Sequence, residues 1–150
     1  MNNRYICKAK RKDNGEWETG FLVITRYGCS DEQYFIADKM TGYHTPVIPE
    51  TVGQCTGLKD KDGKLIFEGD ILHIKTGKGW SCPIGTDIYY KVVFTEFNIE
   101  CHSCTEYIGF MAERSSGSLS SIYYIVTSYG AEVISNIHDN PKLLQRSDEK

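Results

Sequence analysis

The chain has 150 residues, a formal net charge of -3, and 40% hydrophobic and 25% charged residues. This composition excludes an intrinsically disordered protein and predicts one domain, or two small ones, around a buried core. The negative charge argues against a nucleic-acid-binding protein that depends on a positive field over its whole surface.

The beginning of the chain, MNNRYICKAKRKDNG, lacks the apolar stretch of a signal peptide. No run in the sequence approaches the roughly 18 apolar residues that cross a membrane. We therefore expect a cytoplasmic protein without a membrane partner. In that reducing compartment the six cysteines are expected to be free thiols rather than disulfides.

The first third of the chain is predicted to form short β-strands. Branched and aromatic residues predict strands at 5–10, 17–25 and 34–38. The segment from Tyr43 onwards is expected to be extended, because Pro46 and Pro49 disfavour helix at the positions before them. Gly20 indicates a bulge or a close approach of another backbone segment.

The centre of the chain contains two tight turns. Residues 59–64, KDKDGK, separate strands predicted at 52–58 and 65–67, and Asp and Gly are typical of such hairpin turns. A second corner at residues 68–70, EGD, precedes a strand predicted at 71–76. The residues predicted to form these turns are Gly57, Asp60, Asp62, Gly63, Gly69 and Asp70.

The second half is also predicted to be mainly β. Composition favours strands at 89–97, 107–111, 122–127 and 132–136. Asn140 is a candidate helix N-cap and Pro141 suits the first helical position, so a short helix is predicted from Pro141 to about Gln145. Residues 146–150 are expected to fray.

Several of these segments resemble a known family. VGQCTGLKDKDGKLIFEGDIL and EVISNIHDNPKLL, together with KAKRKDNGEWETGFLV and VIPETVGQ, are similar to the YopX family of phage and prophage proteins of low-GC Gram-positive bacteria. The resemblance spans most of the chain and is weakest from residue 76 to residue 128. It implies a compact, mainly β protein and no catalytic residues, because the shared residues are turn formers and apolar strand positions.

Strand pattern and resemblance together predict the fold class. We expect a mainly β protein with a small, partly open β-barrel of SH3-like character, an N-terminal β subdomain and a short C-terminal helix. The expected domain covers 1–150, and a subdivision into 1–50 and 51–145 remains open.

Cys101 and Cys104 are weak candidates for a metal site. Their spacing lets both thiolates reach one zinc ion, but a structural site needs four ligands and the sequence has no second pair of this kind. The remaining ligands would have to come from distant residues, namely Cys55, His73, Cys82 or His138. A redox dithiol is the other alternative, but that motif normally opens a helix in a βαβ unit. We expect incidental loop cysteines and no cofactor.

Other chemical patterns fail on spacing or context. If Gly63 were the glycine of a calcium loop, the first and last ligand positions would be Leu58 and Gly69, which cannot coordinate through side chains. Glu68 and Asp70 form a carboxylate pair, but adjacent turn carboxylates are usually solvated. The chain also lacks a Gly-x-Ser-x-Gly elbow and a phosphate-binding Gly-rich loop. We therefore predict that the protein is not an enzyme.

Basic and aromatic residues are the candidates for binding. A basic cluster near the N-terminus is one group, and tyrosines on or beside predicted strands are the other, since tyrosine serves both base stacking and protein interfaces. The candidate residues are Lys8, Lys10, Arg11, Lys12, Tyr89 and Tyr123, with Tyr90, Tyr124 and Tyr129 as neighbouring aromatics.

These candidates lead to two functional hypotheses. The first is a non-enzymatic, phage-encoded module that binds a host or phage protein, with a homo-oligomer also compatible. The second is a nucleic-acid-binding barrel in phage replication or regulation, which the net charge disfavours. The sequence favours the protein-binding module.

Overall fold

The computed structural model describes residues 3–26, 28, 31–78, 83–99 and 105–148 of the chain. These residues form two antiparallel sheets and one short α-helix near the C-terminus, so the predicted mainly β fold is confirmed. Over this part of the chain the sheets are not closed into a barrel. Two open sheets therefore stand where the sequence predicted a small, partly open barrel.

The elements follow one another through short connections. The strands are β1 (Ile6–Lys10), β2 (Trp17–Thr25), β3 (Gln33–Ala37), β4 (His44–Pro46), β5 (Gly53–Lys59), β6 (Leu65–Phe67), β7 (Asp70–Lys75), β8 (Asp87–Ile99), β9 (Thr105–Glu113), β10 (Leu119–Ser121) and β11 (Glu132–Asn136). The α-helix, α1, is Ile122–Tyr129, and 3-10 helices cover Asn3–Tyr5, Pro49–Thr51 and Pro141–Asp148.

The chain divides into two compact units, Met1–Gly57 and Leu58–Lys150. The first sheet has the strand order β4-β3-β2-β1-β5-β6, and β5 carries the chain from the first unit into the second. The second sheet, with the order β10-β9-β8-β7-β11, lies entirely in the second unit.

The first unit has a small core on one face of its sheet. Cys7 and Ala9 from β1 pack with Ile36 from β3 and with Val47. Alternate β1 residues, Lys8 and Lys10, are only partly buried, as expected where successive side chains point to opposite faces.

The second unit has the larger core. Side chains from β6, β7, β8, β9 and α1 form it, together with Ala131, two residues after the end of α1. Its buried members are Ile66, Leu72, Ile74, Ile88, Tyr90, Val92, Ala112, Ile122, Ile125 and Ala131.

The prediction of a strand at 122–127 is wrong, because this segment is the helix α1. The Ser121 side chain accepts the N–H of Tyr124 as an N-cap, and Gly130 ends the helix in the left-handed conformation. Ile122 and Ile125 are buried and lie one helical turn apart on the core face. The branched and aromatic residues of this segment favour a strand by composition, but its capping residues and its packing against the core stabilise a helix.

A helical segment begins at Pro141, as predicted. It is a 3-10 helix, Pro141–Asp148, that runs beyond the expected end near Gln145. Its first turn is closed by the N–H of Leu143, which donates to the carbonyl of Asn140 at 3.1 Å.

Gly20 in β2 lies against another strand, and this contact generates a prediction. An added Cβ would be 2.1 Å from the carbonyl oxygen of Ala37, whereas a Cβ on the strand glycine Gly109 would meet nothing within 4 Å. We expect Gly20→Ala to lower the free energy of unfolding by about 3 kcal/mol through overpacking. Gly109→Ala should be neutral or stabilising by about 0.5 kcal/mol.

Urea unfolding of both variants beside the wild type measures the two effects. Equal stability of the two variants would show that the strand contact at Gly20 relaxes without cost.

Candidate functional site

Asp60 is an internal hydrogen-bond acceptor in the turn between β5 and β6. Its side chain is almost fully buried, and Oδ1 accepts the backbone N–H groups of Asp62 at 2.9 Å and Lys64 at 2.8 Å. Oδ2 accepts the N–H of Val133, in β11, at 3.0 Å. Both oxygens that a calcium ion would require are therefore engaged by the backbone.

The protonation of Asp60 reflects these bonds. Burial by itself would raise the pKa of this carboxyl, but the three backbone donors favour the charged form and together hold its pKa below the usual value. Gly63, with φ of +84°, closes the same turn by donating its N–H to the carbonyl of Asp60 at 3.0 Å. Asp60 thus ties the turn to β11.

Asp70 is fully buried at the corner that starts β7. Its Oδ2 accepts the N–H of Phe67 at 2.9 Å, and its Oδ1 accepts an N–H from the Asn136 side chain at 3.2 Å. The Asn136 Oδ1 in turn accepts the N–H of His138 at 3.0 Å. This burial removes Asp70 from any acid–base pair with Glu68 that acts on a solvent-borne substrate.

Gly69 completes the corner. It has φ of +81°, and an added Cβ would lie 3.2 Å from the Asn136 side-chain nitrogen. Its N–H donates to the carbonyl of Val92 at 2.9 Å, and its carbonyl accepts the N–H of Ile137 at 2.9 Å. The residue therefore joins β8 and the segment after β11 to the start of β7.

His73 lies between two carboxylates on the second sheet. Its Nδ1 is 2.9 Å from Oε1 of Glu132 and its Nε2 is 2.8 Å from Oδ1 of Asp87, while its ring lies 5.2 Å from that of Tyr89. Lys61 binds the other Glu132 oxygen at 2.5 Å. Lys61 and then His73 lower the pKa of Glu132.

The contacts of His73 link neighbouring strands and do not form a metal centre. The two ring nitrogens face carboxylates from different strands, so this imidazole is not available as a ligand without breaking a bond. Nothing in the sequence pairs His73 with Glu132, because the two residues are 59 positions apart.

The predicted basic cluster is divided among three environments. Lys8 and Lys10 share one face of β1, with their ammonium nitrogens 4.7 and 5.5 Å from the ring centroid of Trp17. The guanidinium of Arg11 binds the carboxylate of Asp13 at 2.7 Å. The neighbouring Lys12 is exposed.

The two tyrosines predicted to bind a partner lie on opposite sides of the second sheet. Tyr89 alternates along β8 with Ile88 and Tyr90, which face the core cluster that also contains Ile125 of α1. Tyr123 lies on α1, on the side of the sheet that Tyr89 faces away from, and is 62% exposed. They do not belong to one surface.

Most of the cysteines on which the metal-site hypothesis rests lie outside the described residues. Cys101 and Cys104, together with Cys82, lie outside them. Cys55 is fully buried in β5, with its Sγ 3.4 Å from the N–H of Gly57. Within the described part of the chain, no three or more His, Cys, Asp and Glu side chains are grouped to hold a metal ion.

Strands β8 and β9 extend beyond their neighbours as a two-stranded ribbon. β7 pairs with β8 only from Asp87 to Lys91, and β10 pairs with β9 only from Met111 to Glu113. Residues 94–99 and 105–110 therefore pair with each other alone among the described strands.

Part of one face of this ribbon is apolar and exposed. Val92 and Ala112 form a buried cross-strand pair, and the next pair along the same face is Phe94 with Phe110, whose rings meet edge to face at 5.0 Å. Ile108 follows on that face, where its cross-strand partner is Glu96. Phe94 is 51% and Ile108 65% exposed. We call Phe94, Ile108 and Phe110 the ribbon face; the sequence analysis did not identify it.

A comparison with protein families now identifies the chain. A family model described as YopX protein matches residues 3–145. The chain belongs to the YopX family. The resemblance found in the sequence is thereby confirmed. None of the helices in the described residues has the length and apolar character needed to cross a membrane.

Solved structures support the same fold. The chain is similar to protein EF1440 from Enterococcus faecalis, known from a crystal structure, with 23% sequence identity and a TM-score of 0.51. The match covers 92% of this chain and 96% of the other. At this identity the likeness concerns the fold alone. No curated protein matches the chain.

The bonds of Asp60 predict a pH-dependent contribution to stability. At neutral pH, Asp60→Ala should lower the free energy of unfolding by about 3 kcal/mol, because three partly buried hydrogen bonds lose their acceptor. The exposed turn residue Asp62 is the matched control, and Asp62→Ala should change stability by less than about 0.5 kcal/mol.

The sign of the pH effect follows from the lowered pKa. The Asp60 contribution is complete above the unfolded-state pKa of about 4 and is lost as the pH falls through the folded-state pKa. Urea unfolding at pH 7 and pH 3 should show a smaller gap between the wild type and Asp60→Ala at the lower pH. A gap of the same size at both values would contradict the assignment.

The Asp70–Asn136 pair predicts strong coupling. Asp70→Asn places a second amide N–H donor against the side-chain N–H of Asn136. Asn136 cannot turn its oxygen towards the new donor without losing the hydrogen bond from the N–H of His138. We therefore expect the free energy of unfolding to fall by about 2 kcal/mol. Exchanging the partners, Asp70→Asn with Asn136→Asp, restores a donor facing an acceptor and should recover most of that loss. Denaturant unfolding of the three variants tests this, and additive losses would refute the coupling.

Proposed function

We propose that this chain is a non-enzymatic protein, encoded by a phage or prophage and present in the cytoplasm of a Gram-positive host, that acts by binding another protein. The chain belongs to the YopX family, and the phage setting is what the resemblance to that family implies. The partner is a host or phage protein.

The ribbon face carries the proposal. Large apolar side chains that stand exposed together mark interaction sites more often than chance, and aromatic residues dominate the binding energy of protein interfaces. Phe94, Phe110 and Ile108 are arranged on one face of a regular two-stranded ribbon, so no large rearrangement is needed to present them. The surface suits an apolar patch on a folded protein.

Helix α1 offers a second aromatic surface in the same unit. Tyr123 and Tyr124 are more than half exposed, and the hydroxyl of Tyr129 donates to that of Tyr124 at 3.2 Å. Tyrosines with one apolar and one polar end are typical of interfaces. These residues extend the apolar area that a partner can cover.

The engagement of four acidic side chains supports a role other than catalysis. Asp60 and Asp70 accept bonds from the backbone and from Asn136, and Glu132 and Asp87 flank His73. Each has a structural partner at hydrogen-bond distance. A general acid or base needs a group that reaches a substrate instead.

Single-stranded nucleic acid is the alternative ligand. Lys8 and Lys10 beside Trp17 combine cations with an aromatic ring, the residue types that contact phosphates and bases. The same cation–π contacts, however, already stabilise this arrangement within the sheet. With a net charge of -3, protein binding is favoured.

Affinity capture from host lysate tests the proposed function. We expect the tagged wild-type chain to retain a stoichiometric protein partner after nuclease treatment, and Phe94→Ser with Ile108→Ser to lose at least nine-tenths of it, as expected when two central apolar contacts of about 2 kcal/mol each are removed. Ile24→Ser with Ile134→Ser, at comparably exposed positions, is the control and should retain the partner.

Other outcomes are equally informative. If both double variants retain the protein partner, the ribbon face is excluded as the interface. Loss of all captured material on nuclease treatment, together with weaker capture by Lys8→Gln and Lys10→Gln, would establish the nucleic-acid alternative. Capture of a second, untagged copy of this chain would identify a homo-oligomer.

A further inference from the structure

A small cleft opens in the second unit where β9 turns back into β10. It has a volume of about 210 Å³ and is lined by Lys91, Glu113, Arg114, Ser115, Gly117 and Leu144. The cleft is separate from the ribbon face, because it lies at the opposite end of β9.

The turn places Arg114 at the cleft in a defined position. The N–H of Arg114 donates to the carbonyl of Ser118 at 3.0 Å, and the carbonyl of Arg114 accepts the N–H of Gly117 at 2.9 Å. Gly117 has φ of +81°, which favours glycine at this point of the turn. Both backbone groups of Arg114 are thus satisfied within the turn.

The side chain of Arg114 is not satisfied in the same way. Its Nε is buried and has no hydrogen-bond partner among the described residues. A guanidinium stays protonated at any physiological pH, so this donor cannot be removed by titration. A buried N–H without an acceptor is costly and requires an explanation.

The charges around the cleft leave a positive excess. Lys91 and Glu113 are cross-strand neighbours, and Nζ of Lys91 lies 2.8 Å from Oε2 of Glu113. This ion pair neutralises one cation. Arg114 supplies a second cation on the same wall, and among the lining residues no other carboxylate balances it.

We propose that this cleft binds a small oxyanion of the phosphate or carboxylate class, with Arg114 as its principal ligand. Arginine presents paired N–H donors whose spacing matches two oxygens of such a group. The cleft is smaller than the roughly 300–1,000 Å³ of pockets that enclose whole cofactors, so it holds one anionic group rather than a nucleotide. This site is independent of the proposed protein-binding function.

An NMR titration of the full-length chain tests the site directly. Inorganic phosphate and acetate are added in separate series at constant ionic strength, and the Nε–H signal of Arg114 is followed with the backbone amides. We expect saturable shifts of that signal and of Ser115 and Gly117 in at least one series. Phosphate alone would identify a phosphate site, and acetate alone or both would identify a general carboxylate-type oxyanion site.

Variants distinguish specific binding from general screening. Arg114→Gln should weaken anion binding by about tenfold or more, as expected for loss of a charged hydrogen bond. Arg114→Lys keeps the charge and should bind with intermediate affinity, which guards against a variant that fails to fold. The control is Arg26→Gln, which removes an exposed arginine bound to Glu32 and should bind as the wild type.

Two results would overturn the proposal. One is the absence of saturable shifts at the cleft with both anions in the wild-type chain. The other is equal affinity in Arg114→Gln and the wild type, which would show that the anion associates without the guanidinium.

Discussion

The buried corner at Gly69 and Asp70 is the constraint on which the second unit depends. A carboxylate can be buried without large cost only where fixed donors replace water. Here the donors come from Phe67 and Asn136, which lie on opposite sides of the corner in sequence. Because Asn136 is also the strand partner of Asp70, the same contact sets the register of β11 against β7. Hydrogen bonding, burial and sheet register thus depend on one pair of side chains.

Local chemistry explains why much of this fold could be predicted. The turn at Asp60 and the corner at Gly69 carry residues whose conformational preferences act over a few positions, so the adjoining strands were located to within one or two residues. The helix α1 was missed because Ile122 and the residues after it favour strands by composition. The signal that could have found it was the cap pair, Ser121 and Gly130, at the two ends of the segment.

Contacts between distant segments explain what could not be predicted. His73 meets Glu132 and Asp87 only because three strands lie side by side, and no local pattern encodes that order. The unsatisfied donor of Arg114 likewise depends on which groups the tertiary fold places around it. The ribbon had a partial signal, since the predicted strand at 89–97 was already long, but Asp87–Ile99 exceeds it at both ends.

The corner also determines which surface the ribbon presents. Side chains alternate along a strand, so a slip of β8 by one residue would turn Phe94 to the opposite face. That slip is resisted at two points: the carbonyl of Val92 accepts the N–H of Gly69, and Asp87 binds His73. Both contacts lie ahead of the exposed residues along β8. The polar residues that hold the sheet together therefore fix the direction of an apolar face that they do not touch. The side chains of an apolar face specified in this way can change without altering its direction, while the residues that orient it stay constrained by folding.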